Sequence, residues 1–507
     1  MRLKKGFEPG INRTFGAFST IFLGLIISQI LATIQVYLSN LNLHETIIAV
    51  TAAGYLSVPN QHIAIHLKEF GTAFWGGLFF TLSLGSGLSI LSFACAFLWD
   101  QLFSRNKILL ILLLLFWLVF LFALNWQGFN FLVTSYFLFI PPAVFGLNLR
   151  RRPRQSGQKS RLMRIIYLLP IVGLALLLMW ASKSDSNIFI NTRDNLLLSN
   201  PVGRTINNAY YRYTLYPAEV FKPLDQKILR TANLESIDDD SHRKRMEIRL
   251  LRFDYLPLKN GFPADLTITM KGDLLVFENK GKTITEASSQ EFLNRPGQVL
   301  NRFSAKSDPY GLFRQATIWS LLLGLPIMMY IFAFSILRFF AGFYMDFAAS
   351  SIVAATLCFL LGLALLIPII QSKGAAREID DMSQALKSKQ WQKRVAALRT
   401  IKNKRMEIGD FPAYRRLLSS PRITERYWLA QALGVSRRDE TYKDLLALWD
   451  DPNRNVVCMV YAGLGFRSKR GVEKQIIERL KESEDWYVQG YAYRALRRLG
   501  WKQKRSN

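Results

Sequence analysis

The residues best suited to chemistry in this chain are three of its four histidines, His44, His62 and His66, gathered in one stretch. His62 and His66 lie four positions apart, so on a helix they share a face, and Glu69 follows one turn later. Two neutral imidazoles and a carboxylate at that spacing can hold a metal ion. The same residues also fit an interfacial amphipathic helix, with Ile63, Ile65, Leu67 and Phe70 as its apolar residues and the polar ones turned to water. The full H-E-x-x-H pattern is absent. A second cation candidate, Asp238-Asp239-Asp240-Ser241-His242, lacks the glycine and terminal glutamate of a calcium loop and reads as a solvated turn. No cofactor other than a metal at His62 and His66 is suggested. No G-x-S-x-G, phosphate-binding glycine loop or catalytic Cys-His pair is visible. Cys95, Cys358 and Cys458 are too scattered for a disulfide framework or a metal site.

The elements that would position such groups are dominated by long apolar runs. Half of the 507 residues are hydrophobic, yet 20% are charged and the formal net charge is +28. That mixture predicts membrane spans joined to soluble modules. A span needs about 20 apolar residues. Seven stretches meet or approach this: Phe15–Tyr37, Thr72–Trp99, Ile108–Leu124, Phe129–Leu147, Ile165–Ala181, Ala316–Leu337 and Phe347–Ile370. None contains an acid, Lys, Arg or His. The first is too long for a signal-peptide core and reads as a retained anchor. Thr81, Ser83, Gly85, Ser86, Gly87, Ser89 and Ser92 make the second stretch rich in small residues, which favours close helix packing over a substrate path.

Orientation follows from the basic loops. Arg2, Lys4 and Lys5 precede the first span, and Arg150, Arg151, Arg152, Arg154, Lys159, Arg161 and Arg164 lie between the fourth and fifth with no acid. Both segments are expected on the cytoplasmic side, the second in contact with lipid headgroups. Alternation then places the loop 38–71, the insert 182–315 and the C-terminal domain outside the cytoplasm, in a bacterial inner membrane. A re-entrant sixth or seventh segment would return the C-terminus to the cytoplasm.

The insert changes character. Leu266, Ile268 and Met270 alternate with polar residues as in a half-buried strand, Lys271-Gly272-Asp273 gives a turn, and Leu274–Glu278 is the partner strand. Met246–Tyr255 is a further strand candidate with a phase slip at Leu250-Leu251, and Asn200–Lys222 is expected to be helical up to a break near Pro217. A small α+β domain results.

Beyond residue 372 the chain repeats itself. Arg394–Ile401, Arg426–Leu433, Val457–Leu464 and Gln489–Leu496 align with offsets of 32, 31 and 32 residues. Gly434, Gly465 and Gly500 are expected to stop the helices, and Ser419-Ser420-Pro421 and Asp450-Asp451-Pro452 to form the turns between units. A period near 30 with a small-residue helix in each unit is the signature of stacked helical repeats. The pattern resembles HEAT repeats, particularly the short HEAT-like units of the phycobilisome-lyase type, over about residues 376–502. The resemblance implies a curved all-α solenoid used for protein contacts and does not imply bilin-lyase chemistry. From Lys373 onward 30 Lys plus Arg stand against 16 Asp plus Glu. That surplus suits a solvated basic face, an acidic partner or anionic headgroups, and nucleic acid least of all.

The expected architecture is therefore a polytopic α-helical membrane protein: a membrane domain at 1–181, an α+β insert at 182–315, a transmembrane hairpin at 316–371 and HEAT-like repeats at 372–507. The function this suggests is a non-enzymatic scaffold or assembly factor. Exposed aromatic and Arg side chains on the repeats (Trp428, Arg437, Arg438, Tyr442, Trp486 and Tyr487) would meet partner proteins. The alternatives are a metal-dependent enzyme at the outer leaflet using His62, His66 and Glu69, and a transporter component. Uncharged spans weaken the latter, because coupled transport places ionisable groups inside the bilayer.

Overall fold

The computed structural model describes residues 7–101, 103–150, 188–259, 261–262, 264–377, 379, 381–469 and 471–505. Among these residues, six helices are long and apolar enough to cross a membrane: Gly16–Ala52, Phe70–Asp100, Lys107–Leu124, Phe131–Arg150, Gly311–Ala341 and Phe347–Arg377. Six of the seven expected stretches fall on them. The remaining one, Ile165–Ala181, lies outside the described residues. The chain divides into two compact units.

The first unit holds residues 1–38, 73–188 and 309–367. Its packing is set by small residues at four-residue spacing on the second apolar helix. Gly77 faces the backbone of Ala32 and Thr33, Gly85 faces Ser28, and Ser89 faces Gly24. These pairs run antiparallel along the two helices, as close approach of small residues favours. Gln29 ties the seam together: it donates to the Phe74 carbonyl (2.9 Å) and accepts from the Thr81 hydroxyl (2.7 Å). A second close approach joins two π turns, Thr81–Gly85 and Ser320–Gly324. There a Cβ on Gly324 would lie 2.5 Å from the Gly87 Cα. Hydroxyls on these helices bond to their own backbone four residues back, as Ser83 does to Phe79 (2.6 Å) and Ser92 to Leu88 (2.6 Å).

Helix Phe131–Arg150 contains Pro141, which has no N–H to give the Phe137 carbonyl. The Trp117 indole N–H supplies it instead, at 3.2 Å. Trp117 belongs to helix Lys107–Leu124, whose other face is apolar and uncovered, with Phe116 73% exposed. A face of that kind calls for lipid rather than water.

The second unit gathers residues 39–72, 189–308 and 368–507. The insert contains a five-stranded sheet in the order β2-β1-β3-β4-β5, formed by β1 (Arg230–Asn233), β2 (Tyr255–Pro257), β3 (Leu266–Lys271), β4 (Leu274–Asn279) and β5 (Lys282–Ser288). β1 pairs in parallel with both β2 and β3, while β3, β4 and β5 form an antiparallel meander. Gly272, at φ +63, makes the expected turn between β3 and β4.

The strand expected over Met246–Tyr255 is instead mostly helix, Asp240–Leu251, with only Tyr255 entering β2. Asp239 caps it by accepting from the Ser241 N–H (2.8 Å), which is the role the acidic run plays here. Met246 and Leu250 are buried one turn apart, while Ile248 is 56% exposed; a strand would have put all three on one face. The expected break at Pro217 is also displaced, since Pro217 sits inside helix Leu215–Phe221. The sheet and the helices Asp240–Leu251, Ser289–Asn294 and Pro296–Lys306 share one core around Ile268, Leu275, Phe277 and Phe303.

Four small-residue helices, Trp391–Lys404, Ile423–Val435, Arg454–Arg467 and Trp486–Arg498, match the repeated segments and pack one on the next in chain order. Gly434 and Gly465 do not stop these helices as expected. They lie in the last turns, where Gly434 approaches Gly463 so closely that a Cβ would be 2.7 Å from its Cα, and Gly465 approaches Ala495. Two helices end at Arg405 and Ser468, both with positive φ, and the last ends just before Gly500 as expected, where the φ of +91 is a glycine conformation. Each junction between units carries one buried or half-buried ion pair: Arg394–Glu425 (2.5 Å), Arg426–Asp451 (2.5 Å) and Arg454–Asp485 (2.6 Å).

Candidate interaction site on the repeats

The helix Ile423–Val435 must present Trp428 somewhere, and the large apolar ring with one N–H needs both burial and an acceptor. Both come from the insert. The Trp428 indole donates to Asp194 Oδ2 at 2.7 Å, and Thr424 Oγ1 reaches the Asp194 carbonyl at 3.4 Å. Asp194 is also paired with Arg193 (2.6 Å), whose guanidinium lies 4.0 Å from the centre of the Tyr427 ring. Burial alone would lower the Arg193 pKa; Asp194 and Tyr427 outweigh it and raise it above the ordinary value. Arg399 donates to Asn191 Oδ1 (2.9 Å) and lies over the Trp428 ring. The aromatic contact continues to the last unit, where Tyr211 packs on Tyr487 with ring centres 4.5 Å apart and Tyr216 meets Trp486 edge-on at 5.3 Å. Burial pushes the Tyr216 phenol up to about 12.

The loop 39–72 is held just as firmly. The Asn60 N–H donates to a side chain, Gln489 Oε1, at 2.9 Å. Its side-chain amide donates to the carbonyls of Leu480, Lys481 and Ser483 at 2.9–3.1 Å, and its Oδ1 caps the short helix Gln61–His66. Gln503 clasps Leu56 from both sides, accepting its N–H (3.2 Å) and donating to its carbonyl (2.8 Å). Tyr493 donates to Asp254 Oδ1 at 2.6 Å while Arg497 pairs with the same carboxylate (3.1 Å). First loop, insert and repeats thus meet through Gln503, Tyr493 and Asp254.

The residues expected to meet a partner are distributed accordingly. Trp428, Tyr442 and Trp486 are buried, not exposed as the sequence reading supposed, and Tyr487 is half-buried. Insert residues cover Trp428, Trp486 and Tyr487, whereas Tyr442 lies under Arg467 and Lys469 of the next unit. Arg437 and Arg438 are exposed. Arg438 pairs with Asp410, and the Arg437 N–H donates to Glu407 (2.8 Å).

His62, His66 and Glu69 are all exposed. His66 Nδ1 lies 2.8 Å from Glu69 Oε1, and His62 is not part of that pair. Among the described residues no three His, Cys, Asp or Glu groups are gathered as a metal site. His242 instead meets the Ser289 hydroxyl (2.6 Å). Arg150 is exposed at the end of its helix, and Arg151, Arg152, Arg154, Lys159, Arg161 and Arg164 lie outside the described residues.

The residues that organise this site and that sequence reasoning missed are Asp194, Asn60, Gln489 and Gln503. Of these only Asn60 carries a local signal, as a capping residue ahead of Gln61. No protein-family model matches the chain, and comparison with curated proteins and with solved structures finds no match either.

Proposed function

We propose that this chain is a non-enzymatic integral membrane scaffold or assembly factor, in which a HEAT-like stack holds extended segments and short helices against its face. The observation that carries this reading is Asp194 with Trp428: the stack already grips residues 189–221 of its own chain through a buried indole–carboxylate bond and stacked tyrosines. Surfaces of this kind recognise peptides by aromatic anchors and Arg. The exposed basic edge at Arg437 and Arg438 is then left for a second protein.

The reading extends to the membrane. Segments that share one core must share one side of the bilayer, and residues 39–72, 189–308 and 368–507 lie in one compact unit. Two apolar helices separate the last pair of segments. Three described ones separate the first pair, and the expected span Ile165–Ala181 would make the even number that same-side placement needs. With the basic segment 148–164 in the cytoplasm, the shared side is extracytoplasmic.

The test is affinity purification of the tagged full chain from mild detergent, beside Arg437→Glu/Arg438→Glu. A protein recovered with the wild type and lost with the charge-reversed edge supports the scaffold. The same proteins from both chains, or none from either, would remove the basic edge as a partner surface.

A further inference from the structure

The first junction between repeats contains a groove of about 330 Å³, lined by Lys387, Lys389, Arg394, Arg416, Ser419 and Glu425 among others. That volume lies at the small end of ligand sites, enough for a compact polar group. We infer that this groove binds a phosphate group, either on a phospholipid headgroup or on a small soluble phosphoester.

The groove is strongly cationic. Four cationic side chains line the groove against one carboxylate. That carboxylate, Glu425, is 1% exposed and already held by Arg394 (2.5 Å) and by the Ser420 hydroxyl. Arg394 and Arg416 are tethered to the walls, Arg394 to the Ser388 and Lys389 carbonyls (2.6 and 3.0 Å) and Arg416 to the Leu386 carbonyl. They are therefore fixed in place as a positive floor. Lys387 and Lys389 are exposed, and no carboxylate among the described residues pairs with either ammonium. Their charge is available to a ligand, with the Ser419 hydroxyl beside them.

The next junction of the same stack provides an internal control. At the corresponding positions of the next junction, Ser419 and Pro421 stand in place of Lys387 and Lys389, Arg426 in place of Arg394, and Ala447 in place of Arg416. Asp450 and Asp451 stand in place of Ser419 and Ser420. There the acids are consumed by Arg479 (2.6 Å) and Arg426 (2.5 Å). The repeat scaffold does not need a basic groove at this point. The first junction has one because lysines were added and acids removed, which is the composition of an anion site.

Binding is measured with the full chain in nanodiscs. Glycerol 3-phosphate is titrated in neutral phosphatidylcholine discs, and retained phosphatidylglycerol is counted by native mass spectrometry from mixed discs. Lys387→Gln/Lys389→Gln and, separately, Ser419→Asp (which copies the acid at 450) are expected to weaken anion binding about tenfold or more. Lys502→Gln/Lys504→Gln, of the same charge change as the lysine pair, should leave it within about twofold. Loss with the soluble ligand assigns the groove to a phosphoester in solution, and loss of retained lipid alone assigns it to a headgroup. The inference is overturned if neither anion binds the wild type, or if the groove variants bind like the wild type or like the Lys502/Lys504 control. All five positions are exposed, so unchanged melting temperatures accompany each variant and separate binding from folding.

Discussion

The two units of this molecule pair their polar groups over different distances in the sequence. In the apolar unit most bonds are local: Ser83, Ser86 and Ser92 return to their own helix, and Gln29 reaches one turn of a neighbouring helix, while Asn130 is the exception in reaching Tyr310 across 180 residues. In the other unit the decisive bonds are long in sequence. Asn60 meets Gln489 across 429 residues, and Asp194 meets Trp428 across 234. The lesson is one of solvent. A helix in hydrocarbon has no water to fall back on and must satisfy itself, whereas segments that fold in water can exchange water for distant partners during folding.

This contrast can be broken at its strongest point first. Asn60→Ala removes three side-chain donations and a helix cap at once, and leaves the Leu480 and Lys481 carbonyls without them. The expected cost is about 2–3 kcal/mol, seen as a large drop in the melting temperature of the second unit's tryptophan signal. A drop no larger than that of an exposed loop substitution would mean that the first loop is not held by the repeats. In the apolar unit, Gly87→Ala drives a methyl to within 2.8 Å of the Ser320 Cα, and should cost about 1–3 kcal/mol by overpacking. Gly16→Ala, with nothing within 4 Å, is its control. Equal melting temperatures for the two variants would remove the glycine seam from the account.

A smaller effect sharpens the comparison through pH. Burial alone would raise the Glu407 carboxyl, but the Arg437 N–H, the Ser436 hydroxyl and the Gly409 N–H, with Arg438 nearby, together hold it below the ordinary value. A carboxyl whose folded pKa is depressed adds stability above its unfolded pKa and loses it as pH falls through the folded one. Wild type should therefore melt above Glu407→Gln near neutrality, and the gap should close below about pH 4.5. A gap that stays constant or widens on acidification contradicts the assignment.

Much of this division was legible in the sequence. Uninterrupted apolar runs marked the spans, and the run from Thr81 to Ser92 announced the small-residue face that Gly85 and Ser89 now fill. The period near 31 located all four stacked helices within a few residues. The misreadings have physical causes. Met246, Ile248 and Leu250 fit a period of two as well as one of four, and only the Asp239 cap and the exposure of Ile248 decide for helix. Gly434 and Gly465 resembled terminators because close helix packing and left-handed caps both select glycine. Trp428 and Trp486 read as exposed because what covers them is far away in the chain. No local pattern encodes a partner at such separation.

A double-mutant cycle at Asp194 and Trp428 tests directly whether the insert covers the repeats. Asp194→Ala, Trp428→Phe and the double variant are melted side by side in the same detergent. If the indole–carboxylate bond exists, the double variant loses less than the sum of the singles, with a coupling of about 1–3 kcal/mol. Strictly additive losses would show that Asp194 and Trp428 do not touch, and the repeats would then be free of the insert.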